Sequence, residues 1–399
     1  MFDQDVLDRA VRDGAISRQS ADSLLSYVTN GSASASTSEE RFRLASGFND
    51  FFVSIAAIIL LVSIWALGNA LMADWHNYSS NLSRFRGPVE YGRYKGLGPV
   101  ACAGSAWLLA EYFTRVRRMI LPSIILLLAS VIGLSYGLAA LFYDWYFSSH
   151  GELRYWDCDL YFDVPRALGN EVCRAYQRQE NHSFLAYAII APVAAAMTYL
   201  HWRRFKLPIS IAAVTAALAS SVLFLLCWAT NVESLNSLIP LVTILVAGIV
   251  TFGFAMWWDM SDRVRETTRS DVAFWLHLLA APMIAHSTFM MLGVSDGSQI
   301  APIAVAAVLA IYLSFAVVAI AVDRRALLVS ALAYVLIALA ALFQKFGFVQ
   351  LNVALTALIV GSALLTLSAF WNPIRGAIVR LLPAKLGNRL PPVQLPRQV

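Results

Sequence analysis

The chain has 399 residues, 59% of them hydrophobic and 14% charged, and a formal net charge of +5. Soluble domains carry roughly 25% charged residues, so this composition excludes a water-soluble globule as the main body. The excess positive charge lies in short connectors between apolar runs, where anionic lipid head groups are the expected partner and no nucleic acid is expected.

Residues 1–29 read as a short helical hairpin. Val6, Leu7, Ala10 and Val11 form one apolar stripe, and Ala21, Leu24, Leu25 and Val28 continue it after a turn. Gly14 is placed to end the first helix in the left-handed region, and Ser17 to cap the second. A unit this small needs a docking partner to be stable. Its start lacks a basic region followed by an apolar one, so no cleaved signal peptide is expected. Residues 30–48 begin with NGSASASTSEE and read as a flexible linker.

Residues 49–371 read as a transmembrane helical bundle. A helix needs about 20 apolar residues to cross ~30 Å of hydrocarbon. About ten runs approach that length: 50–71, 97–114, 119–142, 183–200, 208–230, 238–258, 272–294, 300–322, 326–343 and 348–371. Within them, Gly133 and Gly137 form a GxxxG, and Ala212, Ala216 and Ser220 a similar stripe. Both are expected to let helices approach closely. With the N-terminus inside, 21 of the 30 lysines and arginines fall on the inner side and 9 on the outer. The positive-inside bias therefore predicts that both termini are cytoplasmic.

The longest connector, 147–182, is acidic and aromatic and is expected outside. It carries Cys158 and Cys173. A disulfide between them is favoured over two free thiols by the expected compartment, and would close a loop worth ~3 kcal/mol in the chain-entropy model. Residues 372–399 form a basic tail, of which 372–386 reads as an amphipathic segment on the inner surface.

Three residues inside apolar runs are candidates for ligand binding. His277 and His286 lie in FWLHLLAAPMIAHSTFMM. Intramembrane histidines suggest function, whether proton carriage or contact with a polar group. Nine residues at ~100° each place them on nearly opposite faces unless Pro282 kinks the helix. The simpler account is two neutral imidazoles, each hydrogen-bonded to a neighbouring helix. Glu111 is either a proton-binding carboxylate or, more simply, the partner of Arg115 at i, i+4. No metal site and no cofactor are expected, because no phosphate loop, nucleophile elbow or zinc-protease motif occurs.

Gly14, Ile16 and Ser17 form a Gly-x-Ile-Ser turn within VLDRAVRDGAISRQSADSLL, followed by Arg41, Arg43 and an abrupt first span. Over these first 70 or so residues the chain resembles a family of bacterial membrane proteins defined by an N-terminal domain of unknown function. That resemblance implies a cytoplasmic helical hairpin, many spans and a bacterial inner membrane, and carries no activity. The fold expected is therefore all-α: a polytopic transmembrane bundle with a small N-terminal cytoplasmic hairpin. The expected function is a non-enzymatic, transporter-like or scaffold bundle. Membrane lipids would surround it, and residues 1–29 would mediate self-association or partner docking. The alternatives are a membrane enzyme acting on a lipid-linked substrate through His277 or His286, or an envelope sensor reading the external loop.

Overall fold

The computed structural model describes residues 11–14, 16–23, 48–80, 96–150, 166–232, 234–263, 265, 267–293, 302–324, 328, 332, 335, 336, 339, 352–387, 390 and 391. The chain divides into two compact units, residues 1–42 and 43–399. In the first, Gly14 has φ +70° and its N–H donates to the Val11 carbonyl at 3.2 Å. Ser17 Oγ accepts the Ser20 N–H at 3.1 Å and so caps the following helical turn. Both turn signals read from the sequence are present. The apolar stripes on either side of them lie mostly outside the described residues.

The second unit is all-helical among the described residues. Its helices are α1 (Phe48–Ser80), α2 (Leu97–Ala110), α3 (Ile120–His150), α4 (Arg166–Phe205), α5 (Ile209–Thr230), α6 (Leu238–Ser261), α7 (Thr268–Met291), α8 (Pro302–Val322), α9 (Asn352–Ala369) and α10 (Trp371–Leu381). Six described segments are long and apolar enough to cross a membrane: Phe48–Leu71, Ile120–Phe142, Asn181–Phe205, Ile209–Thr230, Leu238–Ser261 and Thr268–Met291. The pair α9 and α10, bent by 75° at Phe370, makes a seventh if taken as one span. The apolar run 97–114 is divided differently: α2 ends at Ala110 and passes into a π-helical turn, Glu111–Val116.

Chain neighbours pack as antiparallel hairpins, α2 on α3, α4 on α5 and α6 on α7, with α1 against α2 and α3. Gly133 and Gly137 bring α3 against α2. A Cβ on Gly133 would stand 2.6 Å from the Pro99 carbonyl oxygen, so only glycine allows this approach. The stripe Ala212, Ala216 and Ser220 does something else: it lines a cavity.

Burial differs sharply between helices. In α1 only 17% of the most apolar window is buried, and Ile55, Ile59 and Val62 point outward. In α7 half of it is buried, and this helix contacts both α5 and α6. An exposed apolar face of that size belongs in hydrocarbon. The central helix faces protein on several sides.

The turn ends share one device. Arg118, Lys206 and Asp323 follow helical segments with φ of 53°, 57° and 60°. A left-handed residue there lets the chain leave the helix while its N–H groups satisfy the last carbonyls. The residue after it turns inward, as Met119, Leu207 and Arg324 do, at 8%, 8% and 2% exposure. An apolar side chain is the usual occupant of that inward position. In the third case it is an arginine, and its guanidinium requires a partner inside the protein.

Candidate functional site

α7 carries two sites on opposite faces. The first is polar. Arg324 reaches inward from the end of α8 and grips Asp259, in the last turn of α6. Its Nη2 donates to Oδ1 at 2.6 Å and its Nε to Oδ2 at 3.2 Å. This two-point geometry suits a planar guanidinium and a carboxylate. Arg324 Nη2 also donates to the Ser270 carbonyl at 3.0 Å. His277 Nε2 lies 3.2 Å from Asp259 Oδ2, where it donates to the carboxylate. The three side chains are no more than 2% exposed. His277 Nδ1 is buried with no hydrogen-bond partner among the described residues.

A second layer extends this network. Asp323 Oδ2 accepts from Arg265 Nη1 at 3.1 Å, and Asp323 Oδ1 from Trp371 Nε1 at 2.7 Å. Carbonyls take up several further guanidinium donors, while Arg265 Nε is buried with no hydrogen-bond partner among the described residues. Arg265 donates to Val322, Arg375 to Pro391, and Arg263 to Leu390. Burial pushes the Arg265 guanidinium below its ordinary value, and the nearby charge of Arg324 adds to this. The carboxylates of Asp259 and Asp323 oppose the shift. The group stays protonated at physiological pH. Arg265, Arg324 and Arg375 thus gather around Asp259 and Asp323, and backbone oxygens hold part of the surplus donors.

This network is closed. Removing one member of a buried pair typically costs 3–5 kcal/mol, although the whole pair adds little over a well-packed apolar substitute. Its effect is to fix the ends of α6, α7, α8 and α10 relative to one another. Among the described residues no group of three His, Cys, Asp or Glu is placed to hold a metal ion.

The second site is apolar and open. A cavity of about 960 Å³ lies between α3, α4, α5 and α7. Small residues create it: Ala212, Ala213, Ala216, Ala217 and Ser220 on α5 face Ala191 and Ala194 on α4. Trp275, Leu278 and Leu279 close it on the α7 side. The Ser220 hydroxyl is already donated to the Ala216 carbonyl at 2.9 Å. Ligand pockets run to roughly 1,000 Å³, so this space holds a sizeable molecule. Its lining leaves little for a polar ligand to bond.

The residues read from the sequence fall in different places. His277 joins the polar network. His286 is half-buried nine residues further along α7, which runs unbroken through Pro282, so the two rings lie half a turn apart. Glu111 bonds Arg115 at 3.5 Å, as its spacing implied, but holds Arg204 of α4 more closely, at 2.8 and 3.0 Å. Cys158, and the side chain of Cys173, lie outside the described residues. Cys102 and Cys227 are free and buried.

Two members of the polar site, Asp259 and Arg324, and one buried histidine outside it escaped sequence reasoning. Asp259 follows a run that ends at 258 by composition, and Arg324 looks like an ordinary connector charge. The histidine is His201. It is fully buried between Trp107 and Phe205, at ring distances of 5.5 and 4.4 Å, with Nδ1 3.4 Å from Ser210 Oγ. It stands one residue beyond the apolar run 183–200, next to Arg203 and Arg204.

The turns at 117–119, 206–208 and 262–267 gather at one end of the bundle. Trp107 and Glu111 meet His201 and Arg204 in the same order along both chains, so α2 and α4 run parallel. Trp202 and Ile211 cluster with Trp258 and Val272, which brings the α6–α7 turn to that end. No family model, curated protein or solved structure matches this chain.

Proposed function

We propose that this chain is a multi-pass membrane protein whose bundle holds a hydrocarbon ligand, either the tail of a membrane lipid or that of a lipid-linked molecule. The observation that carries this reading is the apolar cavity against α7. A space lined by alanines within spanning helices has hydrocarbon, not water, as its surrounding solvent. The bundle acts as a carrier or scaffold for that ligand, and the closed Asp259–Arg324 network serves as its fixed frame.

The wider architecture in this reading has about ten spans. They include 97–116, where α2 and its π turn together give 20 residues, and the shorter apolar helix Ala306–Val322. The basic end of the bundle faces the cytoplasm of a bacterial inner membrane by the positive-inside rule. Residues 1–29 then form a cytoplasmic hairpin for self-association or partner docking.

The experiment is lipid extraction and mass spectrometry on the protein purified in mild detergent. Wild type should retain lipid through extensive washing. Ala216→Trp, which fills the cavity, should lose most of it while remaining monodisperse. Equal retention by both proteins would overturn the reading.

A second reading rests on the His277–Asp259 contact, since a histidine oriented by a carboxylate is an acid–base arrangement. It requires His277 Nδ1 to reach a lipid-linked substrate. Turnover that disappears in His277→Gln while lipid retention persists would favour it.

A further inference from the structure

The cavity has a direction. On α5 its lining runs from Ile209, the first helical residue, to Phe224. Fifteen residues at 1.5 Å rise give about 22 Å along the helix axis. Half of a ~30 Å hydrocarbon core is ~15 Å, so the space is longer than one leaflet is thick. One end therefore lies at the end of the bundle where the turns gather.

That end is basic, and part of its charge is uncommitted. Among the described residues, the turns after α2 and α4 carry Arg115, Arg117, Arg118, Arg203, Arg204 and Lys206 against one acid, Glu111. Glu111 is taken by Arg204 and Arg115. Arg117 lies over the Tyr112 ring and donates to its hydroxyl at 3.1 Å. Arg203 and Lys206 are exposed and have no carboxylate partner among the described residues. Lys206 Nζ rests 4.5 Å from the centre of the Trp202 ring. Trp202 packs in one cluster with Ile211 and Ala212, and Ala212 lines the cavity. A path of packed residues thus leads from the exposed Lys206 ammonium through Trp202 to the apolar space.

Resting on the reading above, we propose that the occupant is an anionic phospholipid of the leaflet at this end. Its tail lies in the cavity and its phosphate is held by Arg203 and Lys206. Charge and shape agree: an acyl chain needs an apolar slot of leaflet length, and a phosphate needs donors at the mouth of that slot. A zwitterionic lipid carries its own cation and gains less from the two basic side chains.

The test uses full-length protein in detergent, titrated by native mass spectrometry with dioleoyl phosphatidylglycerol and dioleoyl phosphatidylcholine, whose tails are identical. Wild type should prefer the anionic lipid by about thirtyfold, the expectation for two basic residues near an anionic group. Arg203→Gln/Lys206→Gln should bind the two lipids equally, with its melting temperature unchanged because both side chains are exposed. No preference in wild type, or an undiminished one in the double variant, overturns the headgroup assignment. Ala216→Leu separates this outcome from failure of the cavity itself. If it weakens both lipids equally, the apolar site stands whatever the headgroup result. If it weakens neither, the cavity reading falls, and this proposal with it. Glycerol 3-phosphate supplies the head without the tail, and binding as tight as that of the lipid would also overturn the proposal.

Discussion

The two faces of α7 solve opposite problems. On one, His277 meets Asp259 and Arg324, all three side chains are buried, and both carboxylate oxygens of Asp259 are held. On the other, Trp275, Leu278 and Leu279 border a space that the protein does not fill. Polar groups within hydrocarbon must be satisfied by protein, because nothing outside will do it. Apolar groups there carry no such obligation, since lipid solvates them as well as leucine does. A membrane helix can therefore leave a large apolar gap at little cost in stability but cannot leave a charge unmatched. The same contrast separates the two stripes of small residues. Gly133 and Gly137 close α3 onto α2, whereas Ala212, Ala216 and Ser220 border open space, although α5 packs closely on α4.

Substitutions test that asymmetry. The largest effect is expected from Arg324→Leu, which leaves the buried Asp259 carboxylate with His277 but without its guanidinium and should destabilise by about 3–5 kcal/mol in denaturant titration of the purified protein. Asp259→Leu/Arg324→Leu should recover much of that loss, because both charges leave together. If the double variant is as unstable as the sum of the single ones, the two residues act independently and the paired account fails. Next in size is Gly133→Ala. Its added methyl meets the Pro99 carbonyl oxygen, and overpacking of this kind costs about 1–3 kcal/mol, read from the same titration. Ala216→Leu, by contrast, adds three carbons to the cavity and should leave the melting temperature within a degree or two of wild type, for methyl-sized groups enter space already open to lipid. A drop as large as that of Gly133→Ala would mean that the cavity is tightly packed in solution. The smallest change is expected for Glu111→Gln, whose carboxylate is partly exposed and whose ion pairs are screened. Its melting curve should overlay that of wild type at physiological salt.

Much of the fold can be read from composition, because a run such as 51–71 has no stable place in water. The Gly14 and Ser17 turn could also be read, since each residue states a local backbone requirement. So could His277 as a residue needing a partner. The partner itself was hidden. Asp259 is 18 residues from His277, and Arg324 is 65 residues from Asp259, so no local pattern joins them. Hydropathy also treats a charge beside an apolar run as the run's end. Asp259 and Arg324 both sit at such ends, and both fold back inside. The stripe on α5 failed for a related reason. Small residues license close approach without requiring it, and only the neighbouring helices decide whether the licence is used. The bend at Phe370 was nearer the surface of the sequence. The apolar run stops there, and Trp371, Ile374 and Ile378 then pack against α8 through an amphipathic helix.

The π turn at Glu111–Val116 makes this segment sensitive to length rather than to identity. Such a turn is wound with i→i+5 bonds, and so accommodates one more residue than an ordinary helix of the same rise. Point changes there leave the winding alone. Deleting a single amino acid there would restore uninterrupted α geometry and leave the downstream residues in register. Deleting a second would find no slack and swing everything downstream by ~100° about the axis, so that the register of the α2–α3 hairpin would have to be found anew.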